Sequence, residues 1–365
     1  MNLAIMGIRG IPASYGGFET LAEELAPRLV EKGHAVTVYG RSNIIKHKDD
    51  YYKGVKLKIL PTINHKYFDT VFHAFLCVMH SLFEKYDAIL ICNAANSVFS
   101  FFPRLTGKKV IVNVDGIERK RKKWNPIGRL WYFFGEFFSI IFPNKIIADA
   151  EVIQKYYKKR YNKDSVLISY GACTEKALSK EILSKFGLKP KEYLLYVSRL
   201  EPENNAHIVI KAFEKVKTTK KLIIVGDAPY AREYIDSLKK TKDQRIIFTG
   251  FVFGRGYKEF QSHAYCYIHA TEVGGTHPAL IEAMGFGNCV IANRTPENSE
   301  VLAETGITYK KNNVEDLRRK IQSVIDNPQV INELGNKAKK RVKNEYSWDS
   351  IADKYEEVFN GLVIS

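Results

Sequence analysis

Twice along this chain, short apolar runs rich in β-branched residues alternate with stretches of helical periodicity, and that rhythm admits few folds. In the first half the runs fall at 3–8 (LAIMGI), 35–40 (AVTVYG), 55–60 (VKLKIL), 88–92 (AILIC), 110–114 (VIVNV), 145–148 (KIIA) and 166–169 (VLIS). In the second half they fall at 193–198 (YLLYVS), 221–226 (KLIIVG), 246–250 (IIFTG), 265–270 (YCYIHA) and 289–293 (CVIAN), after which the pattern turns mostly helical. Strands apolar on both faces belong in a parallel sheet covered by helices. Two such series predict an α/β chain with two Rossmann-like, doubly wound parallel-sheet domains. Length agrees, because 365 residues exceed what one core supports and fit two domains of about 150–180 residues. The strand rhythm breaks between 170 and 190, at Gly171, Gly187 and Pro190. An N-terminal domain over 1–172 and a C-terminal domain over 173–346 are therefore expected. The last helix, 347–365, has Ser347 placed to cap it and is expected to pack back on the first domain.

The formal net charge of +16 attracts anions: nucleic acid, anionic lipid or phosphorylated substrates. No helix-turn-helix, zinc-finger or RNP-type signature supports nucleic acid. Cys77, Cys92, Cys173, Cys266 and Cys289 show no CxxC or metal-like spacing, which reads as reduced thiols of a cytoplasmic protein. The opening MNLAIMGIRG lacks a signal-peptide pattern. The longest apolar stretch, 127–142, is interrupted by Arg129 and Glu136, so no bilayer span is expected.

In open parallel sheets ligands bind beyond the carboxyl ends of the strands, and two facing domains would gather those loops around one cleft. Four loops stand out. The first, GIRGIPASYGG, puts Gly16 and Gly17 before a helix; they serve either a tight turn or the approach of a sugar phosphate to main-chain amides. It is not the dinucleotide fingerprint, since GxGxxG is absent. The second, YVSRLEPENNAH, carries Arg199 off a strand end, where a planar guanidinium suits a diphosphate; pairing with Glu201 or Glu203 is the plainer reading. The third, ATEVGGTHPALIEAMGFG, feeds Gly274, Gly275, Thr276 and His277 into a helix that opens with Pro278. There the Ala279 and Leu280 amides face an anion, and Glu282 reaches a ribose diol. The fourth, FTGFVFGRGY, could offer the backbone of Phe251 and Val252 to a nucleobase; a core strand followed by a turn is the plainer reading.

In this order, with YSWDSIADKYEEVF near the end, the motifs resemble the GT-B glycosyltransferases of family 4 over essentially the whole chain. GIRGIPASYGGFET, VNVDGIERKRKKW, RLEPENNAH and VGGTHPALIEAM resemble more narrowly a bacterial branch of polysaccharide rhamnosyltransferases. The resemblance implies a nucleotide-sugar donor, transfer with retention, and no metal or other cofactor. Residue by residue, it places Gly16 and Gly17 on the donor phosphate or sugar, Arg199 on the diphosphate, Phe251 and Val252 on the base, and Glu282 on the ribose. Two positions depart from the family pattern. Gly274 stands where the first glutamate of E-x7-E is expected, which favours a 6-deoxy-L-sugar such as rhamnose over common D-hexoses. Asn204 stands where a lysine accompanies the arginine, leaving Arg199, Asn204 and helix amides to offset the diphosphate.

Breaking the anomeric bond leaves negative charge on the diphosphate, which Arg199 and main-chain amides would stabilise. Asp115, closing VNVDG, is the carboxylate placed to act on the acceptor; capping the turn at Gly116 is its other reading. His73 and His80 read as a core or interface face. Segments 65–86, 98–109 and 118–142 are rich in aromatic and basic residues, and Arg119, Lys120, Arg121, Lys122 and Lys123 beside Trp124 suit an anionic bilayer; a solvated basic loop before a buried core helix is the other reading. The expected reaction is transfer of L-rhamnose from dTDP-rhamnose onto a lipid-linked saccharide, at the inner face of a bacterial membrane. A UDP-hexose donor, a nucleotide-sugar epimerase on the same scaffold, and an inactive membrane-binding module are the alternatives.

Overall fold

The computed structural model describes every residue except Ser14, Tyr15, Lys66, Tyr67, Lys122, Lys123, Ile364 and Ser365. Tyr15 of the opening loop, and Lys122 and Lys123 of the basic cluster, thus lie outside the described residues. Two compact units emerge, Met1–Tyr170 with Trp348–Ser365, and Gly171–Ser347.

The first unit is built on β1 (Asn2–Met6), β2 (Ala35–Arg41), β3 (Tyr51–Tyr52), β4 (Val55–Leu60), β5 (Ala88–Cys92), β6 (Lys109–Val114), β7 (Lys145–Ala148) and β8 (Val166–Leu167). Its helices are α1 (Gly17–Glu31), α2 (Phe68–Ser81), α3 (Phe101–Leu105), α4 (Pro126–Ile141) and α5 (Glu151–Tyr161). The strands run in the order β3-β4-β2-β1-β5-β6-β7-β8. Every pairing is parallel except the short β3·β4 ribbon, which the sequence reading missed. Ala4, Met6, Ile89, Ile91, Val112 and Ile146 form the core beneath the helices.

The second unit carries β9 (Tyr193–Val197), β10 (Lys221–Val225), β11 (Ile246–Gly250), β12 (Cys266–His269), β13 (Cys289–Asn293) and β14 (Ile307–Tyr309). Around them lie α6 (Glu181–Lys185), α7 (Ala206–Phe213), α8 (Arg232–Leu238), α9 (Gly254–His263), α10 (Pro278–Gly285), α11 (Pro296–Leu302), α12 (Val314–Asp326) and α13 (Gln329–Glu345). The sheet is wholly parallel in the order β11-β10-β9-β12-β13-β14. Chain order reverses between β9 and β12 here, and between β1 and β5 in the first unit. At such a switch point the adjacent loops diverge to opposite faces and leave a crevice at the carboxyl ends.

The chain ends in α14 (Trp348–Val363), part of the first unit. Arg28 and Lys32, at the end of α1, pair with Asp349 (2.8 Å) and with Asp353 and Glu356 (2.7 and 2.9 Å). Deeper in, the Asn113 amide donates to the Tyr355 hydroxyl at 2.6 Å. His73 and His80 both serve packing: His73 is buried against the Gly40 carbonyl (3.0 Å), and His80 meets the Tyr39 hydroxyl at 3.0 Å.

Candidate active site

In the second unit the candidates gather at the switch point. β9 runs into Ser198, Arg199 and Leu200, which continue along the next strand: the Ser198 amide donates to Val225 (3.1 Å) and the Leu200 amide to Asp227 (3.2 Å). Beside them Gly226 sits at φ +138, and a Cβ there would collide with the Ser198 carbonyl oxygen and lie 2.9 Å from its carbon. Only glycine allows so close a backbone approach. Asn204 departs from its expected role on the diphosphate. It is 3% exposed and turned inward, its amide donating to the Arg199 carbonyl at 2.6 Å. It holds the backbone of Arg199 because a short amide, unlike a lysine, reaches no farther.

β12 ends under the glycine turn. Its exit is fastened by asparagines the sequence reading missed. Asn205 and Asn293 donate to the Ala270 carbonyl (2.9 and 3.1 Å), and Asn298 donates to the Thr271 carbonyl (3.1 Å). Asn312 accepts from both Asn205 and Asn293 and donates to Glu272. Three buried asparagine amides, with half-buried Asn312 joining Asn205 and Asn293, make a rigid platform for the turn. The one local hint was the polar residue at several strand ends.

On that platform Gly274 adopts φ +156, and a Cβ would fall 2.5 Å from the His277 ring. The space a longer side chain would need is occupied by His277, whose imidazole packs against that of His269 (centroids 4.9 Å). His269 is buried beside Tyr267, and burial lowers its pKa to about 3, keeping it neutral at physiological pH. Gly275 and Thr276 are both buried. The Leu280 amide, expected to face an anion, instead donates to the His277 carbonyl at 3.0 Å. That bond closes the first turn of α10 from within and leaves half-buried Ala279 the more accessible member of the pair.

Glu282, on α10, accepts a hydrogen bond from the Tyr257 hydroxyl, which in turn accepts from Gln261 at 2.9 Å. Tyr257 belongs to α9, directly after the Phe251–Val252 loop, so the structure brings the third and fourth loops together. Phe251 is exposed and stacked on Phe253 (5.4 Å). Tyr267 donates to the Val197 carbonyl at 3.3 Å, tying this cluster to the strand that delivers Arg199. Neither Tyr257 nor Tyr267 was singled out from sequence, because their partners lie 25 and 70 residues away.

In the first unit the opening loop follows β1 at its own switch point. Gly10, at φ +115, faces Gly40 so closely that a Cβ would lie 2.7 Å from the Gly40 Cα. Glu19, one turn into α1, accepts from the Arg9 amide (2.9 Å), and Glu23 accepts from the Ala13 amide (2.8 Å). Carboxylates of the following helix thus already satisfy two loop amides. Gly16 caps α1 in extended conformation, with Gly17 its first residue. Asp115 leaves β6 with its carboxylate accepting from the Gly116 amide at 2.8 Å. Burial, then the charge of Glu118, raise its pKa, and its carboxyl meets that of Asp149, a fully buried residue the sequence reading passed over. A carboxyl held above its usual range is a candidate for proton transfer.

The basic cluster differs from expectation. Arg119 is bound by Glu136 (2.8 Å) and the Tyr156 hydroxyl (2.7 Å), and Arg121 is 6% exposed and paired with Glu118 (3.1 Å). These two guanidiniums face the protein because acids of α4 and the preceding turn reach them first.

Residues 179–341 match the family model described as glycosyl transferases group 1, and residues 73–173 match a domain of unknown function, DUF1972. An uncharacterized glycosyltransferase of Methanocaldococcus jannaschii, MJ1069, is 25% identical over 380 residues, covering 95% of each chain. The lipopolysaccharide 1,2-N-acetylglucosaminetransferase of Salmonella typhimurium is 23% identical over 79% of this chain and 83% of its own. Anabaena Alr3699/HepE, solved with UDP-glucose, superposes with a TM-score of 0.79 at 14% identity, covering 99% of each chain. Two parallel-sheet units of this kind have the GT-B fold. With the family match on the second unit, the chain is a glycosyltransferase.

Proposed function

We propose that this enzyme, a family 4 hexosyltransferase, moves L-rhamnose from dTDP-rhamnose, with retention, onto a lipid-linked saccharide at the inner face of a bacterial membrane. The observation that carries the reading is the single connected cluster of the second unit. Arg199 at the end of β9, the Gly274–Gly275 turn after β12, and Glu282 bound to Tyr257 all sit at one sheet's carboxyl edge. In this reading Arg199 and the Ala279 amide offset the charge left on the diphosphate, and Glu282 holds the ribose. Phe251 and Val252 meet the base, while Gly275 and Thr276 line the diphosphate. From the first unit, Gly16 and Gly17 approach the donor and Asp115 binds the acceptor. The departing phosphate oxygen accepts the acceptor's proton on the same face, and no metal is required.

A rhamnose donor is supported by the filled space at Gly274, where His277 excludes a longer acidic side chain that would hydrogen-bond a D-hexose. A UDP-hexose donor is the second reading, favoured by the Salmonella N-acetylglucosaminetransferase and by HepE with its UDP-glucose. A donor screen with dTDP-rhamnose, UDP-glucose and UDP-N-acetylglucosamine decides between them, run with and without EDTA and with product linkage determined. Turnover of UDP-sugars alone overturns the rhamnose assignment, and loss of activity on chelation overturns metal independence.

A further inference from the structure

Among the described residues, the outer face of α4 has no partner in its unit. Its inner face is fully engaged. Gly135 lies against the turn at 94–95, where a Cβ would meet the Ala94 carbonyl at 2.6 Å. Ser139 reaches the Tyr157 hydroxyl at 3.3 Å. The only acid of the helix, Glu136, is 5% exposed and binds Arg119 (2.8 Å), Tyr161 (2.6 Å) and Tyr156. With its carboxylate drawn inward, the opposite side carries Ile127, Leu130, Phe134, Phe137 and Ile141, each between 40% and 78% exposed. Their spacing of three and four residues aligns them in one stripe about 21 Å long.

The patch continues onto α3. Phe101 (43% exposed) packs on Phe142 at 5.3 Å, Phe142 stacks on Phe138 at 4.9 Å, and Leu105 is 67% exposed. Exposed Arg104 and Arg129 border it, and Arg104 is anchored by donating to the Phe142 carbonyl at 2.6 Å. A contiguous apolar surface of this size marks an interaction site. A second copy of a chain carrying +16 would bring like charge to the same border. An anionic lipid surface brings the opposite charge, and its acyl boundary accepts the apolar stripe.

We infer that the α3–α4 face is a monotopic insertion surface: the stripe enters the acyl boundary of an anionic bilayer, with Arg104 and Arg129 at headgroup level. This rests on the proposed lipid-linked acceptor and deepens it. The binding mode differs from the basic patch expected from sequence, because insertion of apolar side chains resists salt while purely electrostatic adsorption does not.

The test uses full-length protein and vesicles of phosphatidylethanolamine with phosphatidylglycerol, compared with phosphatidylcholine alone. Wild type should float with the anionic vesicles and retain much of that binding in high salt. The triple variant Ile127→Ser, Phe134→Ser, Phe137→Ser should lose at least about tenfold of the salt-resistant partition. Its melting and its turnover of a water-soluble saccharide acceptor should stay unchanged. Phe134→Trp gives a reporter that needs no loss of binding: its emission should shift to the blue on anionic vesicles and be quenched by brominated acyl chains. Salt-resistant binding retained by the triple variant, or an indole signal from Phe134→Trp that brominated lipid leaves unquenched, overturns the inference. So does a wild-type dimer that the triple variant disperses. Because flotation needs neither donor nor acceptor, failure of the rhamnose reading leaves this result standing, and failure here leaves the donor screen untouched.

Discussion

Replacing Gly226 by alanine should separate the cost of backbone strain from the cost of moving Arg199. At φ +138 an L-residue is strained by about 1–3 kcal/mol. The new Cβ would also run into the Ser198 carbonyl oxygen. Both groups are held by main chain, so no rotamer change relieves the clash. The Ser198–Leu200 segment must retreat by on the order of 1 Å, and displacements of that size at a reacting centre cost about 10²-fold in rate. Gly250, on the neighbouring β11, is the matched control. Its φ is +71, and a Cβ there meets nothing within 4 Å, so Gly250→Ala carries strain of about 1–2 kcal/mol without displacing the arginine. Guanidinium titration should therefore show both variants destabilised, while kcat/KM for the donor falls about 100-fold in Gly226→Ala and less than about threefold in Gly250→Ala. Equal activities in the two variants, whether both high or both low, would refute the claim that Gly226 acts by placing Arg199.

Arg199→Ala should lower kcat/KM by about 10²–10³-fold with the melting temperature unchanged; near-normal turnover in a donor assay would remove the guanidinium from the diphosphate. Tyr257→Phe takes one hydrogen bond from Glu282, worth about 1 kcal/mol, so the donor KM should rise on the order of fivefold at constant kcat in steady-state kinetics. Burial, aided by the charge of Arg41, lowers the pKa of His73 to about 4, against about 6.5 in an unfolded chain. The unfolded chain therefore binds more protons between those values. Stability from this residue is complete above pH 6.5 and is lost as pH falls towards 4, by about 2 kcal/mol at pH 5. Denaturant titrations at pH 7 and pH 5 should show that difference narrowing in His73→Leu.

What could be read from sequence was what repeats locally. β7 falls at 145–148 as expected, and β13 at 289–293, because a short apolar run between turn residues has few other uses. β14 escaped because Ile307–Tyr309 is only three residues inside a helical stretch. The glycine turn, Arg199 and Glu282 were legible as residue types at strand ends. Their supports were not, since Gly226 is constrained by Ser198, and Tyr257 by Glu282, across gaps no periodicity spans. The same reason reverses the meaning of two charge features. Read along the chain, Arg119 and Arg121 are a surface patch and Glu136 is an interruption of an apolar helix. In the fold Glu136 draws Arg119 inward, Glu118 holds Arg121, and the carboxylate that spoils the apolar run is the anchor turning its aromatic side to solvent. The membrane affinity proposed for this chain is therefore better sought in where Glu136 points than in how many lysines and arginines precede it.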